Sequence, residues 1–309
     1  MQSLLQTDIW ADFKSTQGWR ALRIGELSVL ERPILWGKTF AYSPEVNIEN
    51  LNKSLLLQLS KEVNISCPQA ICFRLEIFQS VDDHKNVINS LKEAGYQKAF
   101  EAVQPEQRQW IDIRPSEEEI LQAMKEKGRY NVRLAEKKGV KVRVSTDTKD
   151  IEVFYQLFME TAKRDGFQIR SKQYFINLFE ALIKNNQAEL IIAEFNNEPL
   201  CALIITYFDG LASYLYGASS NRQRNLMAPY LAHLGAIRSA KEHNCHTYDL
   251  LQIGQIDSLT GEIIGRYANL TRFKQQFGGR SIDLIGSYDY IYQPIAYKIF
   301  ALAQRLRRH

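Results

Sequence analysis

No apolar run in this 309-residue chain approaches the roughly 20 residues that a membrane-spanning helix needs. Its opening, MQSLLQTDIWADFK, meets acids at Asp8 and Asp12 and has neither a basic lead-in nor a long apolar core. That argues against a secretory signal, and a cytoplasmic protein is expected. Cysteine is scarce: Cys67, Cys72, Cys201 and Cys245 form no C-x-x-C pair, so buried, reduced thiols are expected. His243, Cys245 and His246 crowd together without a second ligand pair, and no metal is expected. There is no H-E-x-x-H, no G-x-S-x-G and no phosphate-cradling glycine loop, which removes zinc-peptidase, serine-hydrolase and P-loop readings. None of the five histidines stands in a recognisable catalytic motif, so a general base stays unassigned.

Charge is also nearly balanced, at +4, but its distribution is uneven. Between Lys125 and Arg143 there are eight Lys or Arg and two acids, Glu126 and Glu136. Arg222 with Arg224, and Arg305 with Arg307 and Arg308, form two further basic clusters. One such run is ordinarily a solvated helix face; three together point to a polyanionic partner.

What is present is a mixed α and β pattern, long enough for two domains of about 150 residues. AELIIAEF, Asn196-Asn197, PLCALIITYF, Asp209-Gly210 and LASYLYG read as a three-stranded meander, because Asn-Asn and Asp-Gly tolerate the positive φ of tight hairpins. A helix over Ala228–His243 follows, then a strand near His246–Leu251, a helix near Tyr267–Phe277 and a strand at Ser281–Ser287. A similar order occurs earlier: a helix at Thr7–Thr16, strands near Trp19–Ile24 and Leu27–Trp36, and a helix at Leu51–Val63. A strand at Ala70–Phe78, a helix at Lys85–Ala94 and strands near Lys98–Val103 and Gln109–Ile113 complete it. The repetition implies two copies of one domain, joined at Arg114-Pro115-Ser116. Ser116 and Glu119 form a capping box that opens the helix expected to carry the first basic run. No heptad-like insertion of about 50 residues interrupts either half.

This order is similar to the GNAT acyltransferase fold, whose ordinary members hold acetyl-CoA through an R/Q-x-x-G-x-G/A loop. At the equivalent place, Arg222-Gln223-Arg224-Asn225-Leu226-Met227-Ala228, Asn225 and Met227 replace the glycines, so coenzyme A is not expected. The segment GRYNVRLAEKKGV (128–140) closely resembles the signature of the FemABX peptidyltransferases, as does LQTDIWADFKSTQGW (5–19). RDGFQIRSKQY (164–174), YLYGAS (214–219) and RFKQQFGG (272–279) match in the expected order, so the resemblance covers nearly the whole chain.

The resemblance implies an α/β fold of tandem GNAT-like domains. Domain one would comprise residues 1–114 plus 288–309, and domain two residues 115–287. It implies an aminoacyltransferase that moves an amino acid from aminoacyl-tRNA, as co-substrate and without a cofactor, to the stem peptide of a peptidoglycan precursor. The acceptor is UDP-MurNAc-pentapeptide or lipid II. Lys14, Arg170 and Tyr174 match family positions that meet the acceptor diphosphate and sugar, with Arg170 and Tyr174 expected four apart on one helix face. Tyr216 matches a substrate-facing tyrosine; strand alternation puts Tyr214 on the same face, so the two could exchange roles. Phe273 and Lys274 match a catalytic pair at the tRNA 3′ end, where a cation can stabilise the oxyanion of ester aminolysis. Glu76 stands where an acid often lies near the acceptor, although Ile77 replaces the usual proline. Arg129, Arg133, Lys137 and Lys138 would meet the tRNA acceptor stem through its phosphates. The helix Pro294–His309 would pack on domain one or, alternatively, touch the anionic inner face of the membrane. A monomer is expected. The competing readings are another tRNA-dependent transferase acting on a protein N-terminus or a lipid, and a non-enzymatic RNA-binding protein.

Overall fold

The computed structural model describes residues 1–256, 263–264 and 267–306; Arg307 and Arg308 of the third basic cluster, with His309, lie outside the described residues. The chain divides into two compact units, Met1–Glu106 with Asp283–His309, and Gln107–Ile282.

The first unit opens with α1 (Asp8–Thr16), whose N-cap Thr7 accepts from the Trp10 N–H. β1 (Arg20–Ile24), β2 (Leu27–Pro33) and β3 (Thr39–Val46) form a meander. α2 (Lys53–Ser66) then crosses to β4 (Ala70–Ser80), parallel to β3. α3 (Lys85–Glu93) and β5 (Gln97–Lys98) follow, and β14 (Arg280–Ile291) and α10 (Pro294–Leu306) return to this unit from Asp283 onward. The sheet order is β1-β2-β3-β4-β14, with β5 on β14. Phe73, Leu75 and Ile77 join α2 and α3 in the core. Alternation along β4 places Arg74 and Glu76 on the opposite face. There Arg74 donates from Nε and Nη2 to the two carboxylate oxygens of Asp289, each at 2.7 Å, and Tyr297 adds its hydroxyl to the same carboxylate.

The second unit begins with β6 (Gln107–Asp112), α4 (Glu117–Ala123), α5 (Glu126–Lys137), β7 (Lys141–Ser145), α6 (Ile151–Asp165) and α7 (Lys172–Ile183). The meander β8 (Ala188–Phe195), β9 (Glu198–Phe208) and β10 (Leu211–Ser219) leads through α8 (Ala228–Glu242) to β11 (Thr247–Gln252), parallel to β10. A small ladder of β12 (Gln255–Ile256) with β13 (Ile263–Ile264) precedes α9 (Ala268–Lys274). The main sheet runs β6-β11-β10-β9-β8-β7. Helices α5 and α8 share its principal core, while α6 and α7 cover the other face.

Several expectations need correction. The first domain ends at 106 rather than 114, because β6 pairs with β11 and so builds the second unit. The return falls at Asp283 rather than Tyr288. β3 was not expected as a strand; with it, each unit repeats meander, helix, parallel strand. The capping box at Ser116 and Glu119 opens α4 only, and the basic run sits on the separate helix α5 beyond a break at Met124-Lys125. The strand expected near Lys98–Val103 shrinks to β5. All four cysteines are free and buried, and among the described residues no helix is long and apolar enough to cross a membrane.

Candidate functional site

The second unit gathers most of the candidates. Its two parallel strands, β10 and β11, pair only as far as Ser213 and Asp249, although both run on. Each is irregular at that point. On β10 the register against β9 shifts between Tyr214 and Tyr216, so the two tyrosines point to opposite faces rather than the same one. On β11 the register against β6 shifts between Asp249 and Gln252, and Leu251 takes a left-handed φ of 55°. The Asp249 carboxylate secures that bulge: Oδ1 accepts from Leu251 N–H at 2.7 Å and Oδ2 accepts from Arg108 Nη1 at 2.9 Å.

Lys274 closes the split. It is the last residue of α9, buried to 3% exposure, and its Nζ donates to the Gln252 carbonyl at 2.8 Å. The same nitrogen lies 5.4 Å from the centroid of the Tyr214 ring. It therefore touches both strands where their ladder ends. Burial pushes the ammonium down to about 7; Asp249 opposes that shift and Arg108 adds to it. The residue is not the solvated helix lysine that its neighbours Arg272, Gln275 and Gln276 suggest. Phe273 packs against Tyr230, His233 and Phe277. The buried His233 ring, edge-on to Tyr214 at 4.7 Å, is held neutral by burial, with a pKa lowered to about 3. Its Nδ1 is 2.8 Å from the Tyr248 hydroxyl. A Cβ at position 217 would meet the Tyr214 hydroxyl at 1.9 Å, so Gly217 leaves room for that ring.

Tyr216 faces the other way, edge-on to Phe175 with centroids 5.1 Å apart, and its hydroxyl is 3.3 Å from that of Tyr174. Arg170 precedes α7 instead of lying on it, since Ser171 is the N-cap and accepts from Tyr174 N–H. The exposed guanidinium still stacks on Tyr174, 5.1 Å from its centroid. Arg170, Tyr174 and Tyr216 thus form one cluster, and Lys274, Phe273 and Tyr214 another, on opposite sides of the β10 bulge.

The remaining candidates divide. Lys14, in the first unit, lies over Trp19 at 4.4 Å. Glu76, also there and buried, accepts from Val103 N–H, Gln104 N–H and Ser287 Oγ, each at 2.9 Å, and from the Tyr42 hydroxyl. Four donors make it a fastener of the 103–104 turn, which corrects its assignment to the acceptor. Arg129 donates from Nη1 to the carbonyls of Gln122 and Met124 at 3.1 and 3.0 Å, and so caps α4. Arg133 is exposed with Glu118 at 3.9 Å, and Lys137 and Lys138 are exposed at the end of α5. Part of the 128–140 signature is packing: a Cβ on Gly128 would lie 2.3 Å from the Gln276 carbonyl, just past Lys274. His243 Nε2 sits 3.0 Å from Glu189 Oε1. Sequence reasoning missed Asp249, Arg108 and Gln252; an aspartate inside the apolar strand T-Y-D-L-L was the available signal.

Two units on the meander, helix and parallel-strand plan, one with a buried amine at its strand split, define a transferase of the GNAT-like class. A model described as the FemAB family matches residues 68–204 and 186–305, and the chain belongs to that family. It is 24% identical to the lipid II:glycine glycyltransferase of Staphylococcus epidermidis, with 99% of this chain and 92% of the relative covered. That alignment runs over 388 positions, so the relative carries insertions that this chain lacks. The crystal structure of FemX superposes with a TM-score of 0.84 at 22% identity, over 97% of this chain and 94% of that one. A tandem GNAT protein from the clavulanic acid biosynthesis pathway gives a TM-score of 0.51 at 10% identity, over 87% and 81%.

Proposed function

We propose that the protein transfers an aminoacyl group from aminoacyl-tRNA to a stem-peptide amine of a lipid-linked peptidoglycan precursor, on the cytoplasmic side. The observation that carries this is Lys274, a buried amine poised near neutrality at the split of β10 and β11. Membership of the FemAB family and the named activity of the staphylococcal relative support the substrate class. The acceptor amine attacks the ester carbonyl, a C–N bond forms, and the ester C–O bond breaks. The tRNA 3′-oxygen leaves and takes up the proton that the amine releases. Lys274, as ammonium, faces the oxyanion of that tetrahedral state, and Phe273 holds its helix end against the core. Arg170, Tyr174 and Tyr216 bind the acceptor diphosphate and sugar. Neither coenzyme A nor a metal takes part; Met227, where a glycine loop would bind pyrophosphate, packs its side chain against the core.

The test is to incubate the protein with mixed charged tRNAs and lipid II, and in parallel with UDP-MurNAc-pentapeptide, and to read product masses. One added aminoacyl residue on the lipid-linked acceptor is expected. Turnover with acetyl-CoA alone, or no product from either acceptor, overturns the proposal. Arg170→Ala should weaken acceptor binding by one to two decades, since a charge-assisted contact contributes about 1.5–3 kcal/mol. Its melting temperature should not change, because the side chain is exposed. Unchanged affinity removes Arg170 from the site. With Arg129 tied down, the tRNA reading of α5 rests on Arg133, Lys137 and Lys138. Lys137→Glu with Lys138→Glu should raise KM for charged tRNA, spare that for the acceptor, and flatten the salt dependence by about one log–log unit per lost contact. A rise in acceptor KM instead would move this segment to the other substrate.

A further inference from the structure

Helix α10 has two unlike sides. Tyr297 and Phe300 face the first unit, with Phe300 5.8 Å from Phe40 and both rings within 6.0 Å of Phe100. At about 100° per residue, Ile295, Ile299, Leu302 and Leu306 fall together on the opposite side. They are 78%, 45%, 59% and 69% exposed. Among the described residues no other helix exposes more than one large apolar side chain. The helix contains no Asp or Glu, and Lys298 and Arg305 flank the apolar stripe on one edge. In sequence, Arg307 and Arg308 follow.

We propose that this face of α10 docks in the plane of an anionic phospholipid surface. Four aliphatic side chains enter the acyl boundary, and Lys298 and Arg305 stay at headgroup level beside lipid phosphates. Thirteen residues make a helix of about 20 Å, too short to span a hydrocarbon core of about 30 Å, so the helix lies flat. Charge decides against the other apolar occupant, a second copy of this helix. With no acid on it, no two-fold pairing of this helix gives Lys298 or Arg305 an acidic partner from the helix itself, and an antiparallel one sets them against each other. The docking goes beyond the transfer reaction, because it stands even if the acceptor proves water-soluble.

The test uses the full chain without substrates. Vesicles of phosphatidylglycerol and phosphatidylcholine in equal parts are compared with pure phosphatidylcholine by co-sedimentation. Wild type should bind the anionic vesicles roughly tenfold or more tightly than the neutral ones. Ile299→Ser with Leu302→Ser should reduce anionic-vesicle binding about tenfold or more, and Lys298→Glu with Arg305→Glu should abolish the preference for anionic lipid. All four side chains are exposed, and unchanged melting curves will show that both variants fold. Equal vesicle binding by wild type and both variants overturns the proposal. So does a wild-type dimer, seen by sedimentation, that Ile299→Ser with Leu302→Ser dissociates, because the stripe is then a self-association surface. Failure here leaves the transfer assay untouched, and failure of transfer leaves vesicle binding intact.

Discussion

Replacing Lys274 with methionine is expected to lower the transfer rate by a factor of about 10² to 10³, the usual cost of removing one oxyanion donor. The same replacement should change how stability depends on pH. The folded-state pKa is about 7, below the free value of 10.5, so between those limits the unfolded chain holds more protons than the folded one. Wild-type stability therefore gains from this residue as pH rises from 7 to 10.5, and bears its full penalty below 7. Methionine does not titrate. The unfolding free energy of wild type relative to Lys274→Met should rise by roughly 3–5 kcal/mol between about pH 6 and pH 10. Groups common to both proteins cancel in that difference. A pH-independent difference would mean that the amine is hydrated rather than buried. The pH profile of turnover separates two roles. If the ammonium works, as the Gln252 carbonyl and the Tyr214 face favour, kcat falls as pH rises through about 7. A rising limb there would make the neutral amine a proton acceptor instead.

The second large effect concerns the first unit. Asp289→Ala leaves Arg74 buried between Phe40 and Phe100, at 5.1 and 5.0 Å, with no carboxylate. Breaking one side of a buried pair costs about 3–5 kcal/mol. Because Asp289 lies 215 residues from Arg74, the pair also ties the returning segment to β4. Chemical denaturation followed by near-ultraviolet dichroism should show the loss. Arg74→Met with Asp289→Leu should recover much of it, since no charge is then stranded. Equal destabilisation by the single and double variants would assign the effect to packing.

Particular residues show what the sequence could tell. The hairpins at Asn196-Asn197 and Asp209-Gly210 were legible because turn chemistry is local: their φ values are 50°, 64°, 47° and 75°. β3 was not, because Pro44 and the left-handed Glu45 interrupt it and nearly every residue is buried, which erases the alternation of a half-exposed strand. The burial of Lys274 was hidden for a different reason. It depends on a carbonyl 22 residues away, turned by a bulge that Asp249 holds, and no helix-level pattern encodes that. The separation of Tyr214 from Tyr216 was likewise invisible, because one displaced residue defeats period-two reasoning. Family resemblance named the residues; geometry sorted them into two clusters, and moved Glu76 and Arg129 to structural duty.

The bulge at β10 also bears on how such a protein can diverge. Substituting Tyr214 alters only the surroundings of the amine, and substituting Tyr216 alters only the Tyr174 cluster, so each can drift without disturbing the other. Deleting or inserting one residue between Ser213 and Gly217 would rotate everything beyond it and swap the two neighbourhoods at once. Diversification at this strand should therefore proceed through replacement of side chains, with its length held fixed across lineages.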